Sequence, residues 1–258
     1  MNIGMLRRRL SSAPLVATFL FAGCGFACAG DAHAVLELFT SQGCSSCPAA
    51  DKLLGELARD PALVVMSDPI DYWDYLGWKD TLASPAHSAR QRAYARVRGD
   101  REVYTPQIVV NGSMHVLGSD RAAIEKVIAS TGRNAAVMSL PVKVSVAAGD
   151  VTVQIGDAAK PQLAGEVWVC ALERSAAVAI GRGENSGRTV TYHNVVRRWV
   201  KLGDWAGTAS SFSVPTAKVL ADGVDAAVVL VQEGSREKPG IILGAAQTPL
   251  EKLTTEVR

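Results

Sequence analysis

The sequence predicts an α/β domain followed by an all-β, antiparallel, sandwich-like domain. Three observations carry this reading. Up to about residue 130, short apolar runs alternate with stretches whose apolar residues fall at helical spacing. Residues 130–139 are small, polar and aperiodic. Beyond them the apolar residues recur at period two, with turn residues between.

In the first half, Val35 to Phe39 reads as a short strand. Cys44-Ser45-Ser46-Cys47 follows it. Pro48 then opens a helix to about Ala58, because Pro suits a first helical turn and Leu53, Leu54 and Leu57 share one face. Leu63 to Met66 is a second strand. Residues 68–82 are aromatic and turn-rich, with Tyr72, Trp73, Tyr75 and Trp78. Pro85 opens a helix to about Val97. Gln107 to Val110 is a third strand, and Asn111-Gly112 marks a hairpin to a returning strand, Ser113 to Val116. Ser119 is expected to cap a last helix that buries Ala122, Ile124, Val127 and Ile128. The first strands need parallel crossovers, and the hairpin makes an antiparallel pair.

In the second half, Val142, Val144 and Val146 alternate with polar residues, as do Val151, Val153 and Ile155. Gly149-Asp150 lies between these two runs and reads as a hairpin. Val167 to Leu172, Ala226 to Val231 and Ile241 to Leu243 are further apolar runs. Strands at this spacing suggest an antiparallel sandwich.

The N-terminus reads as an export signal over residues 1–29. Arg7, Arg8 and Arg9 precede an apolar stretch to about Phe26, and Ala27-Cys28-Ala29 is a small-x-small cleavage site. Ala32-His33-Ala34 is a second candidate cut. Phe21-Ala22-Gly23-Cys24 loosely resembles a lipoprotein box, with Phe a poor first residue. The apolar core is short for a membrane span, so no span is expected in the mature chain.

Removing the signal changes the charge arithmetic. The 258 residues hold 27 basic and 25 acidic side chains; residues 1–29 take three Arg with them and leave 24 against 25. A chain so balanced lacks the basic excess of a nucleic-acid binder. Cys24 and Cys28 leave with the signal, so Cys44, Cys47 and Cys170 remain. Export to the periplasm or beyond places them where disulfides persist.

Cysteines three apart can pair at a strand-to-helix turn. The first thiol then lies near a helix N-terminus, whose free N–H groups and macrodipole favour an anion. Its pKa falls, and the thiolate is the nucleophile. Cys44 is thus expected to attack and Cys47 to resolve the mixed disulfide. In a mixed α/β layout such a pair reads as a thioredoxin-like redox motif. The expected fold is an α/β thioredoxin-like N-terminal domain, residues 33–130, followed by an all-β antiparallel sandwich-like C-terminal domain, residues 140–250. Thr105-Pro106, just before an inner strand, stands where such folds place a cis-proline loop facing the dithiol. Cys170, inside an apolar strand, is expected to be buried and free.

Three segments carry a closer resemblance. Phe39-Thr40-Ser41-Gln42-Gly43-Cys44-Ser45-Ser46-Cys47-Pro48, the run from Asp71 to Asp80, and Tyr104-Thr105-Pro106-Gln107 resemble the secreted, thioredoxin-like domain of unknown function 1223 family of bacteria. Gly181-Arg182-Gly183-Glu184-Asn185 and Tyr192-His193-Asn194 extend the likeness into the second half. The resemblance implies a redox site but no substrate. The site departs from ordinary thioredoxins. Gly43, not Trp, precedes the first cysteine. Leu38 stands where thioredoxins bury an acid, and Glu37 is expected on the opposite face of its strand.

The leading expectation is a thiol–disulfide oxidoreductase acting on protein or small-molecule thiols and disulfides, with no cofactor. Cys44, Cys47, Thr105 and Pro106 form its catalytic set, and Trp73, Trp78 and Tyr104 its substrate-binding set. One rival is a copper or other metal module using Cys44, Cys47 and His115, with Met114 or His87 nearby. Another is a binding protein whose disulfide is only a staple. Asp71 and Asp74 are weighed as proton acceptors against helix caps. Arg90, Arg92, Arg96, Arg98 and Arg101 are expected on a solvated helix face. Arg182, Arg188, Arg197 and Arg198 with His193 are either surface charge or an anion or partner site.

Overall fold

The computed structural model describes residues 32–158 and 162–250, together with Met1. The expected signal at 1–29, including Cys24 and Cys28, lies outside the described residues. The first half runs β1 (Ala34–Thr40), α1 (Cys47–Leu57), β2 (Leu63–Pro69), α2 (Pro85–Arg98), β3 (Gln107–Val110), β4 (Met114–Leu117) and α3 (Arg121–Thr131). β1 pairs β2 in parallel and β3 antiparallel, and β3 pairs β4 antiparallel. Every residue of β1 is buried, because both sheet faces are covered. Leu36 and Leu38 pack with Leu53 and Leu54 of α1 and Ile124 of α3. Phe39 points the other way and meets Tyr94 of α2.

The last helix of this half is capped differently from the expectation. Asp120, not Ser119, is the N-cap, and its Oδ1 accepts from the Ala123 amide at 2.9 Å. Asp and Ser are equally good caps, so adjacent candidates cannot be ranked by type. Ala122 is exposed, while Ile124 and Val127 are buried as expected.

The second half runs β5 (Val142–Ala147), β6 (Asp150–Ile155), β7 (Gly165–Ala179), β8 (Thr189–Trp205), β9 (Ser210–Pro215), the short α4 (Thr216–Val219), β10 (Ala226–Ser235) and β11 (Lys238–Pro249). The expected sandwich is built in a particular way. Strands β5-β6-β9 form a small antiparallel sheet, but the other four join the first-half strands in one eight-stranded sheet, order β11-β10-β7-β8-β2-β1-β3-β4. The large sheet is thus continuous across residues 130–140. Val151 and Val153 of the small sheet pack on Val167, Val169, Val229 and Val231 of the large one. Val228, Leu230 and Cys170 face the opposite way, in a core shared with Val35 and Met66 of the first half. With both faces covered, a strand reads as an unbroken apolar run, which is the pattern of Ala226 to Val231.

The Asn111-Gly112 hairpin ties these parts together. Both residues have positive φ, 50° and 69°, as a type I′ turn requires. The Asn111 side chain accepts from the Val35 amide at 2.7 Å and donates to Thr131 Oγ1 at 2.9 Å. Its carbonyl accepts from the Ile242 amide of β11 at 3.0 Å.

Candidate functional site

The chain leaves β1 at Thr40, turns, and enters α1 at Cys47. Two backbone bonds shape the turn, Cys44 N–H to the Ser41 carbonyl and Cys47 N–H to the Cys44 carbonyl, both 3.2 Å. Cys44 and Cys47 are joined by a disulfide, with their Cα atoms 5.4 Å apart. Cys44 is 4% exposed and Cys47 fully buried, so the first cysteine is the more accessible of the two. It stands just outside the N-terminus of α1, where free N–H groups favour a thiolate.

Thr105-Pro106 does face the pair. The peptide bond between them is cis, and the Thr105 carbonyl oxygen lies 3.7 Å from Cys44 Sγ. Pro106 is buried, and its carbonyl accepts from the Gly118 amide at 2.9 Å. A Cβ on Gly118 would lie 2.8 Å from Leu38 and 3.2 Å from Pro106, so only glycine lets the three segments close.

The aromatic segment wraps this turn. Trp73 Nε1 donates to Thr105 Oγ1 at 2.8 Å. A side chain at Gly43 would meet Trp73 Cβ at 3.1 Å, so the indole absent from position 43 is supplied from 30 residues on in the chain. Trp73 stacks on Tyr75, which is 76% exposed. Trp78 Nε1 donates to Gln42 Oε1 at 2.8 Å, and Asp80 accepts from the Gln42 amide at 2.8 Å.

The loop between β7 and β8 completes the site. Gly181 and Gly183 lie against the Trp78 side chain. Beyond them Asn185, 1% exposed, donates from Nδ2 to the carbonyls of Gln42 at 3.0 Å and Cys44 at 2.8 Å. Glu184 accepts from the Ser45 amide at 3.2 Å. One amide side chain from the second half thus holds two carbonyls of the dithiol turn.

A family model described as "Protein of unknown function (DUF1223)" matches residues 35–232, a span that includes both the cysteine turn and Asn185. The chain belongs to the DUF1223 family. It is also similar to a protein of Agrobacterium tumefaciens whose X-ray structure was solved by a structural genomics consortium. The two are 32% identical, with a TM-score of 0.75, covering 85% of this chain and 97% of that one. No curated protein matches.

In this DUF1223 chain a buried acid stands behind the dithiol, and it comes from the helix. Asp51 lies one turn after Cys47 on the same side of α1. It is 2% exposed. Oδ1 accepts from Thr40 Oγ1 at 2.8 Å, and Oδ2 has no hydrogen-bond partner among the described residues. Burial pushes the carboxyl up to about 8, against the Thr40 hydrogen bond, and the nearby Asp80 adds to the rise. Asp80 is itself raised by burial. Sequence reading missed Asp51, and it placed Asp80 and Asn185 only in the segments of family resemblance, without a role. The available signal for Asp51 was an acid on the apolar face between Ala50 and Leu54, four residues from Cys47.

The remaining candidates divide. Tyr104 is half-buried and engages His115 Nδ1 at 2.9 Å. His115 Nε2 faces Asp100 Oδ2 at 3.2 Å. His87 lies inside, with Nδ1 on the Pro69 carbonyl at 2.9 Å, and Met114 is exposed. Among the described residues no group of three His, Cys, Asp or Glu side chains is placed to hold a metal ion. Asp71 accepts from Ser88 Oγ of α2, and Asp74 accepts from the Asp80 amide at 3.1 Å within its own segment. Arg197 approaches Glu173, and Arg198 donates to the Lys218 carbonyl.

Arg90 corrects an expectation. Arg92, Arg96 and Arg101 are exposed, but Arg90 is buried on the sheet face opposite α1. Its Nε lies 2.5 Å from Glu37 Oε2, and its Nη2 donates to Gln232 Oε1 at 2.9 Å. Tyr94 O–H donates to Glu37 Oε1 at 2.6 Å. Helix α2 packs a polar face on the sheet, and Glu37 supplies the matching charge. Nearby Asp68 is fully buried, and burial together with Glu37 raises it to about 8. Burial lowers His87, which stands 3.5 Å from Asp68, to about 4.

Among the described residues no helix is long and apolar enough to cross a membrane.

Proposed function

We propose that the protein is a thiol–disulfide oxidoreductase and that residues 33–130 act as a thioredoxin-like module. The observation that carries this is the Cys44–Cys47 disulfide at the start of α1, facing the Thr105 carbonyl, with a buried carboxyl one turn behind whose Oδ2 has no hydrogen-bond partner among the described residues. Export through residues 1–29 to the periplasm or beyond belongs to the same reading, since disulfide exchange suits an oxidising compartment.

In the direction that starts from the disulfide, a substrate thiolate attacks Cys44 Sγ. The Cys44–Cys47 bond breaks, and Cys47 leaves as a thiolate. Asp51, held protonated at neutral pH, gives it the proton. A second substrate thiolate attacks the substrate sulfur of the mixed disulfide and releases Cys44. The substrate dithiol is oxidised by two electrons, and the protein is reduced to the dithiol. In reverse, Asp51 takes the proton from Cys47, whose thiolate resolves the mixed disulfide at Cys44 and releases reduced substrate. The Thr105 carbonyl supports a hydrogen bond to the backbone of a bound peptide.

Cys47→Ser tests the reading, because it removes the resolving sulfur. A covalent adduct at Cys44, visible on a non-reducing gel and released by reductant, is the expected result. No adduct with any thiol or disulfide substrate would reject the mechanism. The near-complete burial of both cysteines favours a second reading, a structural staple. The dithiol potential separates the two: about −120 to −270 mV marks an exchanging pair, and a value below about −300 mV a staple.

A further inference from the structure

An open cleft of about 870 Å³ lies between α1 and the beginning of β8. Lys52, Glu56 and Arg59 line it from α1, and Arg188 and His193 from the other side. Lys52, Arg59 and Arg188 are exposed, and none of the three has a salt-bridge partner among the described residues. Glu56, the acid on this wall, is engaged by Arg121 at 2.7 Å. The cleft is therefore electropositive, on a mature chain of almost balanced charge.

One wall of the cleft is an open strand edge. β8 is paired with β7 from Thr189 onward, but it meets β2 only at Ser67↔Val195. Asn194, at φ 51°, accompanies the divergence, and its side chain donates to the Val65 carbonyl at 3.0 Å. From Thr189 to His193 the strand is paired, among the described residues, on its β7 side alone, and it runs beside α1. Gly55 makes that approach possible, because any Cβ there would collide with the His193 ring.

The cleft is joined to the dithiol. Pro48, directly after Cys47, is part of its wall. Arg188 Nη1 donates to Asn185 Oδ1 at 3.3 Å, and Asn185 holds the Cys44 carbonyl.

We propose that this cleft binds an extended, acidic polypeptide segment. Its backbone lies along the Thr189–His193 edge as an added strand, and its carboxylates face Lys52, Arg59 and Arg188. On the redox reading above, on which this consequence rests, the segment delivers a thiol or disulfide to Cys44. Charge complementarity and an unpaired edge select a polypeptide of this kind over an apolar or basic one.

The test uses the full chain and two short fluorescent peptides, one alternating Glu and Thr, the other Lys and Thr. Anisotropy is expected to show binding of the acidic peptide alone, weakening with salt. Arg59→Glu with Arg188→Glu is expected to weaken it by about tenfold or more; both positions are exposed, so folding is preserved. N-methylation of alternate peptide amides is expected to weaken binding again. Equal affinity for both peptides, or an unaffected charge-reversal variant, overturns the proposal. So does displacement by inorganic phosphate together with indifference to N-methylation, which marks a simple anion site. A cysteine placed in each peptide then reports exchange. Exchange without preference between the peptides removes the cleft and leaves the redox reading. Binding without any exchange removes the redox reading and leaves the cleft.

Discussion

Glu37 and Asp51 are both buried carboxyls, on opposite faces of the same sheet, and their surroundings differ. Glu37 is held by a guanidinium and a phenol, Arg90 and Tyr94. Asp51 has one hydroxyl, from Thr40, and no salt-bridge cation among the described residues. A buried charge is tolerable when it is paired. A buried acid without a cation keeps its proton instead. The first arrangement fixes α2 on the sheet; the second keeps a proton in reserve beside a disulfide.

The largest expected effect breaks the Glu37 side of this comparison. Arg90→Met leaves Glu37 buried without its cation, and a loss of about 3–5 kcal/mol is expected in urea unfolding. Adding Glu37→Leu should recover much of it. A single-variant loss below about 1 kcal/mol would mean that water or relaxation replaces the pair.

The Asp51 side is sharpened by pH. Its carboxyl titrates at about 8 in the folded protein, against 3.8 for an unburied carboxyl. Between those values the folded state holds a proton that the unfolded chain has released. Stability therefore falls as pH rises through this window. Asp68 acts in the same direction over the same range. Asp51→Asn is expected to change little at pH 4 and to stabilise by more than about 1 kcal/mol at pH 9. It should also slow thiol–disulfide exchange by about tenfold or more at pH 7 and erase an inflection near pH 8. An unchanged pH–rate profile would make Asp51 a packing residue.

A smaller effect belongs to the loop that covers the cysteines. Asn185→Ala removes the two bonds to the Gln42 and Cys44 carbonyls and the acceptor of Arg188, leaving the Cys44 carbonyl with the Cys47 amide alone. A cost of about 1–3 kcal/mol is expected, with faster reduction of the disulfide by dithiothreitol. Unchanged reduction would show that the loop does not limit access to Cys44.

The parts of this site that were legible are local ones. Cys44 and Cys47 are three residues apart, Pro48 marks the helix start, and Asn111-Gly112 sets its own turn. Asn185 was not legible in its role, because its reach to Cys44 depends on the lengths of β7 and β8 and on where they bend. β8 itself escaped notice. It carries His193, Arg197, Arg198 and Lys201, and register shifts in its ladder with β7 break the alternation that marks a strand. Arg90 looked like one of a row of surface arginines until the polar face of α2 met Glu37. β11, at one end of the sheet, meets the Asn111 turn between β3 and β4 through the Ile242 amide, a contact no local pattern announces.

The link between Asn185 and Cys44 spans 141 residues, and that distance is also an interval of time. A chain grows at about 5–20 residues per second, so the cysteine turn exists for roughly 7–28 s before the residue that covers it has been made. During that interval the Gln42 and Cys44 carbonyls lack the Asn185 amide that later holds them. A chain that stops before residue 185 never leaves this condition. The loop therefore marks a finished molecule off from an unfinished one by the two carbonyls it holds at the cysteine turn.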